Sequence, residues 1–319
     1  MFEAVNNFLQ HVDDLVWGVP LIVAILLTGI YLTIRLKGIQ ITKLPKALKY
    51  MFENEESGHG EVTSFGALCT ALSATIGTGN IVGVATAIVA GGPGALFWME
   101  IAALFGMATK YSEGLLAIKY RTTDKHGHIL GGPFYYIENG MGKKWTWLAK
   151  IFAFFGMGVG LFGIGTFTQV NGITSAVGNF FDPNAQNVIH LLGRDYTLAV
   201  VISGLILTVC VGLVVIGGLK RIAKVSEIIV PFMAVIYIAI SLLLLILNAN
   251  KIPAAIVEIV SSAFGLRAAA GGALGAIIVA MQKGIARGIF SNEAGLVVVP
   301  RSQQQPLRQK SRHVRDWLP

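Results

Sequence analysis

Charge is what this chain has least of. Asp, Glu, Lys and Arg make up 13% of its 319 residues, where a soluble domain carries about 25%. So small a fraction cannot cover the surface of a water-soluble globule. Cysteine is scarce as well: Cys69 and Cys210 are the only two, and both fall inside apolar runs. That excludes a disulfide-stapled secreted fold and leaves both as small core residues. The first 34 residues hold no Lys or Arg, so a cleavable signal peptide would lack its basic segment. The first helix is therefore expected to be retained. Enzyme signatures are missing too: no Walker A loop, no Rossmann glycine pattern, no His-Glu-x-x-His and no Cys/His metal cluster. The six histidines, His11, His59, His126, His128, His190 and His313, fall in expected loops or termini. No catalytic residue, resident metal or cofactor is expected.

What is present is apolar. Hydrophobic residues make up 54% of the chain and mean hydropathy is +0.67. Length alone suggests two soluble domains; hydropathy overrides this, giving one membrane-embedded domain. Lys and Arg number 25 against 17 acids. In a soluble protein that excess hints at nucleic acid. Here it needs only basic loops on the cytoplasmic side, so neither a nucleic-acid nor an obligate protein partner is expected.

A charge at mid-membrane costs several kcal/mol, so charge-free windows define the architecture. They run over Leu15–Ile34, Val62–Met99, Ile151–Phe181, Tyr196–Leu219, Ile228–Asn250 and Ala268–Gln282. A helix needs about 20 apolar residues to cross the hydrocarbon core. The second window, 38 residues long, contains Gly91-Gly92-Pro93-Gly94, which cannot continue a helix. One helix thus ends near Ala90 and another begins at Pro93, carrying Glu100, Lys110 and Glu113. Seven spans result, near 15–36, 63–90, 93–119, 150–178, 196–219, 227–248 and 269–295. With the N-terminus outside, fourteen Lys and Arg lie in inside loops and three (Arg194, Lys251, Arg267) outside. This obeys the positive-inside rule.

Two spans invite a break. In the second, Gly77-Thr78-Gly79-Asn80 loosens the helix at mid-depth. Irregular backbone is tolerated there only where it is buried in protein or lines a cavity. A small-residue helix contact is the alternative; the polar Thr78 and Asn80 beside the glycines favour an unwound binding segment. In the last span, Lys283 to Gly295 mixes small residues with Lys283, Arg287, Asn292 and Glu293. Either it forms a second break lining a cavity, or it emerges at the cytoplasmic interface with Lys283 and Arg287 snorkelling. The fourth span carries Gly156, Gly158 and Gly160, read as a packing face. It then carries Gln169, whose amide needs partners at both ends. Gln169 is either packing glue against the broken helix or a ligand contact.

With these residues in place, the sequence resembles the alanine or glycine:cation symporter family, the sodium:alanine symporters. The matching strings are Ala74–Ile81, Gly83–Ala87, Gly91–Ala95 with Phe97–Met99, Phe105–Tyr111, Ala117–Arg121, Gly131–Pro133 and Arg287–Gly295. The resemblance implies an all-α polytopic membrane protein with the inverted-repeat, LeuT-like transporter fold, its first and sixth core helices broken. Half-helix N-termini meet the substrate carboxylate in such folds and unwound carbonyls coordinate Na⁺. Carried over, Gly77, Thr78, Gly79, Gln169, Ser291 and Asn292 would bind alanine or glycine, and Thr75 and Asn80 the coupling Na⁺. The implied protein is a multi-pass cell-membrane symporter, its partners the bilayer, Na⁺ and a small amino acid.

The family has about eleven helices, and this chain supplies the first repeat plus the sixth core helix. Residues 1–296 are read as that incomplete transmembrane domain. Residues 297–319 are read as a non-homologous basic, cytoplasmic tail. Val297 to Leu307 spells what results when one base is dropped from a coding string for the family's Gly-Ser-Ser-Ala-Pro-Ile and alanine run. A frameshift product is therefore expected; a genuine lipid-attracted tail is the alternative. The chain alone is then expected not to transport. Three functions remain in competition: a Na⁺-coupled alanine or glycine symporter, an inactive truncated fragment of one, and a proton-coupled permease using Glu293 or Glu100 as relay.

Overall fold

The charge-free windows become helices. The structure, a computed structural model, describes residues 2–16, 18–52, 63–125, 129–163, 165–191, 193–266 and 272–295. The expected tail at 297–319 lies outside the described residues. Helix α1 (Phe2–Val16) precedes α2 (Val19–Arg35), which starts at Gly18 with Pro20 in its first turn. Pro suits that position because its missing N–H has no helical partner there. Short α3 (Ile39–Thr42) and α4 (Leu44–Phe52) follow. Helix α5 (Ser64–Thr75) is capped by Thr63, whose hydroxyl accepts the Gly66 N–H at 2.9 Å. Helix α6 (Val82–Gly91) is joined to α7 (Gly94–Lys119) through Gly92, in the left-handed region at φ +74°, and Pro93. The boundary read from Gly-Gly-Pro-Gly is where the chain turns.

Beyond α7 come α8 (Pro133–Met141), α9 (Thr146–Leu161), α10 (Thr166–Phe181), α11 (Leu198–Ile216), α12 (Gly218–Leu247), α13 (Ile252–Ala263) and α14 (Ala273–Asn292). Two short antiparallel hairpins qualify the all-α expectation. One pairs β1 (Thr122–Thr123) with β2 (Ile129–Leu130), the other β3 (Val188–Leu191) with β4 (Arg194–Thr197). Both lie between the long helices, where water leaves a strand edge tolerable. His190 belongs to the second hairpin, its ring 2.7 Å from Asp195.

Against the seven spans expected, four to five among the described residues are long and apolar enough to cross a membrane. By length and composition, 143–181, α11, α12 and 274–292 can each cross a membrane, and the bent pair α5–α6 makes a fifth. Helix α2 has only 17 residues, and α7, though 26 residues long, carries Glu100, Lys110 and Glu113. The expected 150–178 span is two helices, α9 and α10. They meet at a turn with Gly163 at φ +60° and Gly165 at φ +91°, conformations that glycine adopts without Cβ strain.

The core lies where α2, α7 and α14 cross. Ile22, Ala102, Ile285 and Ile289 are buried together, backed by Ile25, Leu26 and Trp98. Glycines set the spacing. A Cβ on Gly29 would lie 3.0 Å from the Phe105 carbonyl oxygen, and one on Gly288 would lie 3.1 Å from that of Met99. Close packing between small residues is what associates helices in lipid, where burial gives no hydrophobic drive between them. Helix α13 seats on the first turns of α7: Trp98 Nε1 donates to the Ala263 carbonyl at 3.2 Å, and Phe97 meets Phe264 edge-on at 5.2 Å. By contrast, nothing among the described residues lies within 4 Å of a Cβ built on Gly156, Gly158 or Gly160. The packing face expected there is not formed among the described residues.

Candidate substrate and cation site at a broken helix

Helices α5 and α6 are bent by 64° at their junction. The last α-helical bond of α5 runs from Ile76 N–H to Leu72 O at 2.8 Å. Ile76 and Gly77 are extended, and Thr78–Asn80 form one 3₁₀ turn before α6 resumes. Two amides that a continuous helix would give to Ser73 and Ala74 go elsewhere. The Gly77 N–H donates to Asn80 Oδ1 at 3.2 Å, and the Thr78 N–H to Gln169 Oε1 at 2.8 Å. The Thr78 hydroxyl donates to the same Gln169 oxygen at 2.9 Å. The Ser73 and Ala74 carbonyls are thereby freed from the helix ladder.

Gln169 and Gly172, three residues apart on α10, form the clamp. The Gln169 amide nitrogen lies so close to Gly77 that any Cβ there would overlap it, and a Cβ on Gly172 would fall 2.7 Å from Thr78 Cγ2. Glycine at both positions is a requirement of close approach. Thr75, the last residue of α5, donates its hydroxyl to Ala71 O at 2.9 Å. Its oxygen keeps lone pairs for a cation.

The structure thus brings together Gly77, Thr78, Gly79, Asn80 and Gln169, with Thr75 one turn below. It places the α14 pair differently. The side chain nearest a Gly79 Cβ is Phe290, with a ring carbon at 4.0 Å. Asn292 instead lies against α7: its Nδ2 is 3.2 Å from a Cβ built on Gly106, and its Oδ1 accepts the Ala294 N–H at 2.9 Å. Ser291 is half-buried beside it. Nor is there a break between Lys283 and Asn292. Helix α14 is continuous to Asn292 and ends where Glu293 turns left-handed at φ +55°. Gly284 and Gly288, which suggested a hinge, are contact points on α7. The same continuity puts Lys283 eleventh of 20 helical residues, away from the helix end that snorkelling would need.

A charge cluster that the spacing did not single out ties this end of α14 to α7. Glu113 is buried on α7 and accepts the Gly295 N–H at 2.9 Å through Oε1. Lys110, one turn from Glu113 on the same face of α7, sits 4.0 Å from it and 3.9 Å from Glu293 at the end of α14. The i,i+3 spacing of Lys110 and Glu113 was the available signal; their partner, 182 residues on, was not. Glu100, the other relay candidate, is exposed. Removing Glu113 leaves the half-buried Gly295 amide without its acceptor, costing about 1–3 kcal/mol, while Lys110 keeps Glu293. Glu113→Ala should therefore speed hydrogen exchange at Gly295 about tenfold or more, and Glu113→Gln, which keeps the acceptor, far less. Equal protection in both variants would show that Glu113 does not hold the helix end.

Comparison with known proteins gives the chain's family. A family profile described as the sodium:alanine symporter family matches residues 2–307. The chain is 51% identical over 311 residues to an uncharacterized transporter of Haemophilus influenzae, covering 96% of this chain and 64% of that protein. It is 46% identical to a sodium/alanine symporter of Methanococcus maripaludis, covering 92% and 62%. It is 36% identical to an amino-acid carrier protein of Bacillus subtilis, covering 92% and 58%. The chain spans less than two thirds of the length of these curated relatives. A match over nearly the whole chain settles kinship: this membrane protein belongs to the sodium:alanine symporter family.

Proposed function

We propose that this protein carries alanine or glycine across the cell membrane together with Na⁺, and that the α5–α6 break is where both bind. The observation that carries the reading is the propped break itself. At Gly77 and Thr78 two amides leave the helix ladder, and one side chain of α10 holds the gap open. In such a break the Gly79 N–H and the Gln169 side-chain NH₂ suit a carboxylate; the freed Ser73 and Ala74 carbonyls, with Thr75 and Asn80 oxygens, suit Na⁺. Asn292, which this structure holds against α7, and Ser291 beside it belong to the site on the family resemblance alone. The name of the Methanococcus maripaludis relative supports alanine and sodium.

Under this reading residues 1–296 form one transmembrane domain of the inverted-repeat, LeuT-like kind. Helices α5–α6 are its first core helix and α14 its sixth. The N-terminus lies outside, as supported by α1, which has no Lys or Arg, and by the basic α3–α4 segment. The test is binding of labelled alanine to the purified chain in nanodiscs. Binding should require Na⁺ and vanish in choline. Thr78→Val should weaken it about tenfold, the loss of one hydrogen bond worth about 1.4 kcal/mol. Binding indifferent to sodium, or unchanged in Thr78→Val, would overturn the assignment.

A further inference from the structure

Helices α6 and α14 form an open groove of about 310 Å³, near the small end of the range for ligand pockets, in which Lys283 is exposed and Arg287 half-buried. Thr86 and Ala90 line it from α6; Lys283, Ala286, Arg287 and Phe290 line it from α14. None of its lining residues is acidic, and no ion pair to Lys283 or Arg287 is formed among the described residues. The Arg287 guanidinium lies over the Phe290 ring at 5.4 Å and packs against Gly83 so tightly that a Cβ there would overlap it. Its Nε is buried without a hydrogen-bond partner.

Two like charges four residues apart destabilise a helix, and an unpaired charge in a membrane span is costly. Folding alone gives no reason for both. Lys283 and Arg287 are the eleventh and fifteenth residues of the 20-residue α14. At 1.5 Å per residue they sit roughly 15 and 21 Å along a helix about 30 Å long. Lys283 is thus at the middle of the helix and Arg287 about two thirds along it, both short of its ends. Two cations with no acid among the groove's lining residues suit a small anion that enters along the groove.

The geometry points to an anion subsite between α6 and α14, in which Lys283 and Arg287 receive the carboxylate of the amino acid. The groove adjoins the break: Phe290, which forms one wall, is also the side chain nearest Gly79. A carboxylate held at Arg287 therefore waits one side chain away from Thr78. This inference rests on the proposed transport of amino acids for the identity of the anion, and not for the existence of the subsite.

The experiment is an NMR titration of the purified chain, in zwitterionic nanodiscs, with ¹³C-labelled acetate. Acetate should bind, alanine should displace it, and Arg287→Gln should weaken it at least tenfold. Arg287→Lys should stay within about threefold of the native chain. Lys283→Gln should weaken binding several-fold, which carries the test if Arg287→Gln does not fold. Acetate binding indifferent to both neutral variants overturns the proposal. So does loss of acetate binding on adding phosphatidylglycerol, which would assign the two cations to lipid headgroups. Arg287-dependent acetate binding that alanine does not displace overturns the amino acid as the anion. Alanine binding indifferent to sodium would instead sink the transport reading and leave an Arg287-dependent subsite standing.

Discussion

Gln169→Leu is expected to close the break and abolish alanine binding, although the substitution barely changes side-chain volume. Gln169 Oε1 accepts both the amide and the hydroxyl of Thr78, at 2.8 and 2.9 Å. Leucine leaves these two donors without that acceptor in a site that α10 covers. Each orphaned donor costs about 1–3 kcal/mol. The cheapest remedy is local, since the Thr78 N–H regains a partner if it returns to the Ala74 carbonyl. The helix then heals and the freed carbonyls vanish. Spin labels on α5 and α6 should report a bend well below 64°, and alanine affinity should fall between tenfold and a hundredfold. Gln169→Glu separates the two roles of this residue. Its carboxylate still accepts from Thr78, so the bend should persist. The negative charge and the lost amide donor should nevertheless repel an anionic substrate. A native bend together with native alanine affinity in Gln169→Leu would remove Gln169 from the site altogether.

The first break was legible because its signal is local. Two glycines around a threonine, in 38 residues without charge, leave a small-residue helix contact as the alternative, and the polar Thr78 and Asn80 beside them favour the break. Gln169 was legible as a residue needing partners, since an amide in hydrocarbon must find them, though the sequence left open whether it glued or bound. The structure has it hold Thr78. Glycine elsewhere was ambiguous for a physical reason. It weakens a helix and admits a close neighbour by the same missing Cβ, and only the neighbour decides which property is used. Gly284 and Gly288 meet the backbone of α7 and keep α14 continuous. Gly156, Gly158 and Gly160 meet nothing within 4 Å. Gly163 and Gly165, in the same run, bend the chain. Helix α1 was missed despite its pattern: Val5, Phe8, Leu9, Val12 and Val16 share one face and are all exposed. Attention to charge-free windows passes over an amphipathic helix, whose polar face breaks every window.

Gly284→Ala is expected to destabilise the protein more than any other alanine substitution at a glycine of α14, although alanine is the better helix former. A Cβ at 284 would run into the carbonyl oxygen of Ala95 and lie 2.9 Å from Trp98 Cβ. Neither can step aside, because one is backbone and the other is fixed to it within α7. The helices must separate, and Ile285 and Ile289, buried in that contact, lose their packing. Overpacking of this kind costs about 1–3 kcal/mol or more. Three glycines on one helix make the comparison clean. At Gly288 a Cβ meets Ala102 Cβ and Met99 O at 3.1 Å, so a small shift suffices and the cost should be intermediate. At Gly275 nothing lies within 4 Å, and alanine should stabilise by up to about 1 kcal/mol through helix propensity alone. That propensity gain is common to all three sites, so differences among them report only the contact with α7. Unfolding of the purified variants in mixed micelles should rank them Gly275→Ala above native, native above Gly288→Ala, and Gly288→Ala above Gly284→Ala. A hinge predicts the opposite order, because alanine would stiffen the helix at 284 with no neighbour to strike. Finding Gly284→Ala as stable as Gly275→Ala would return these glycines to the role of a break.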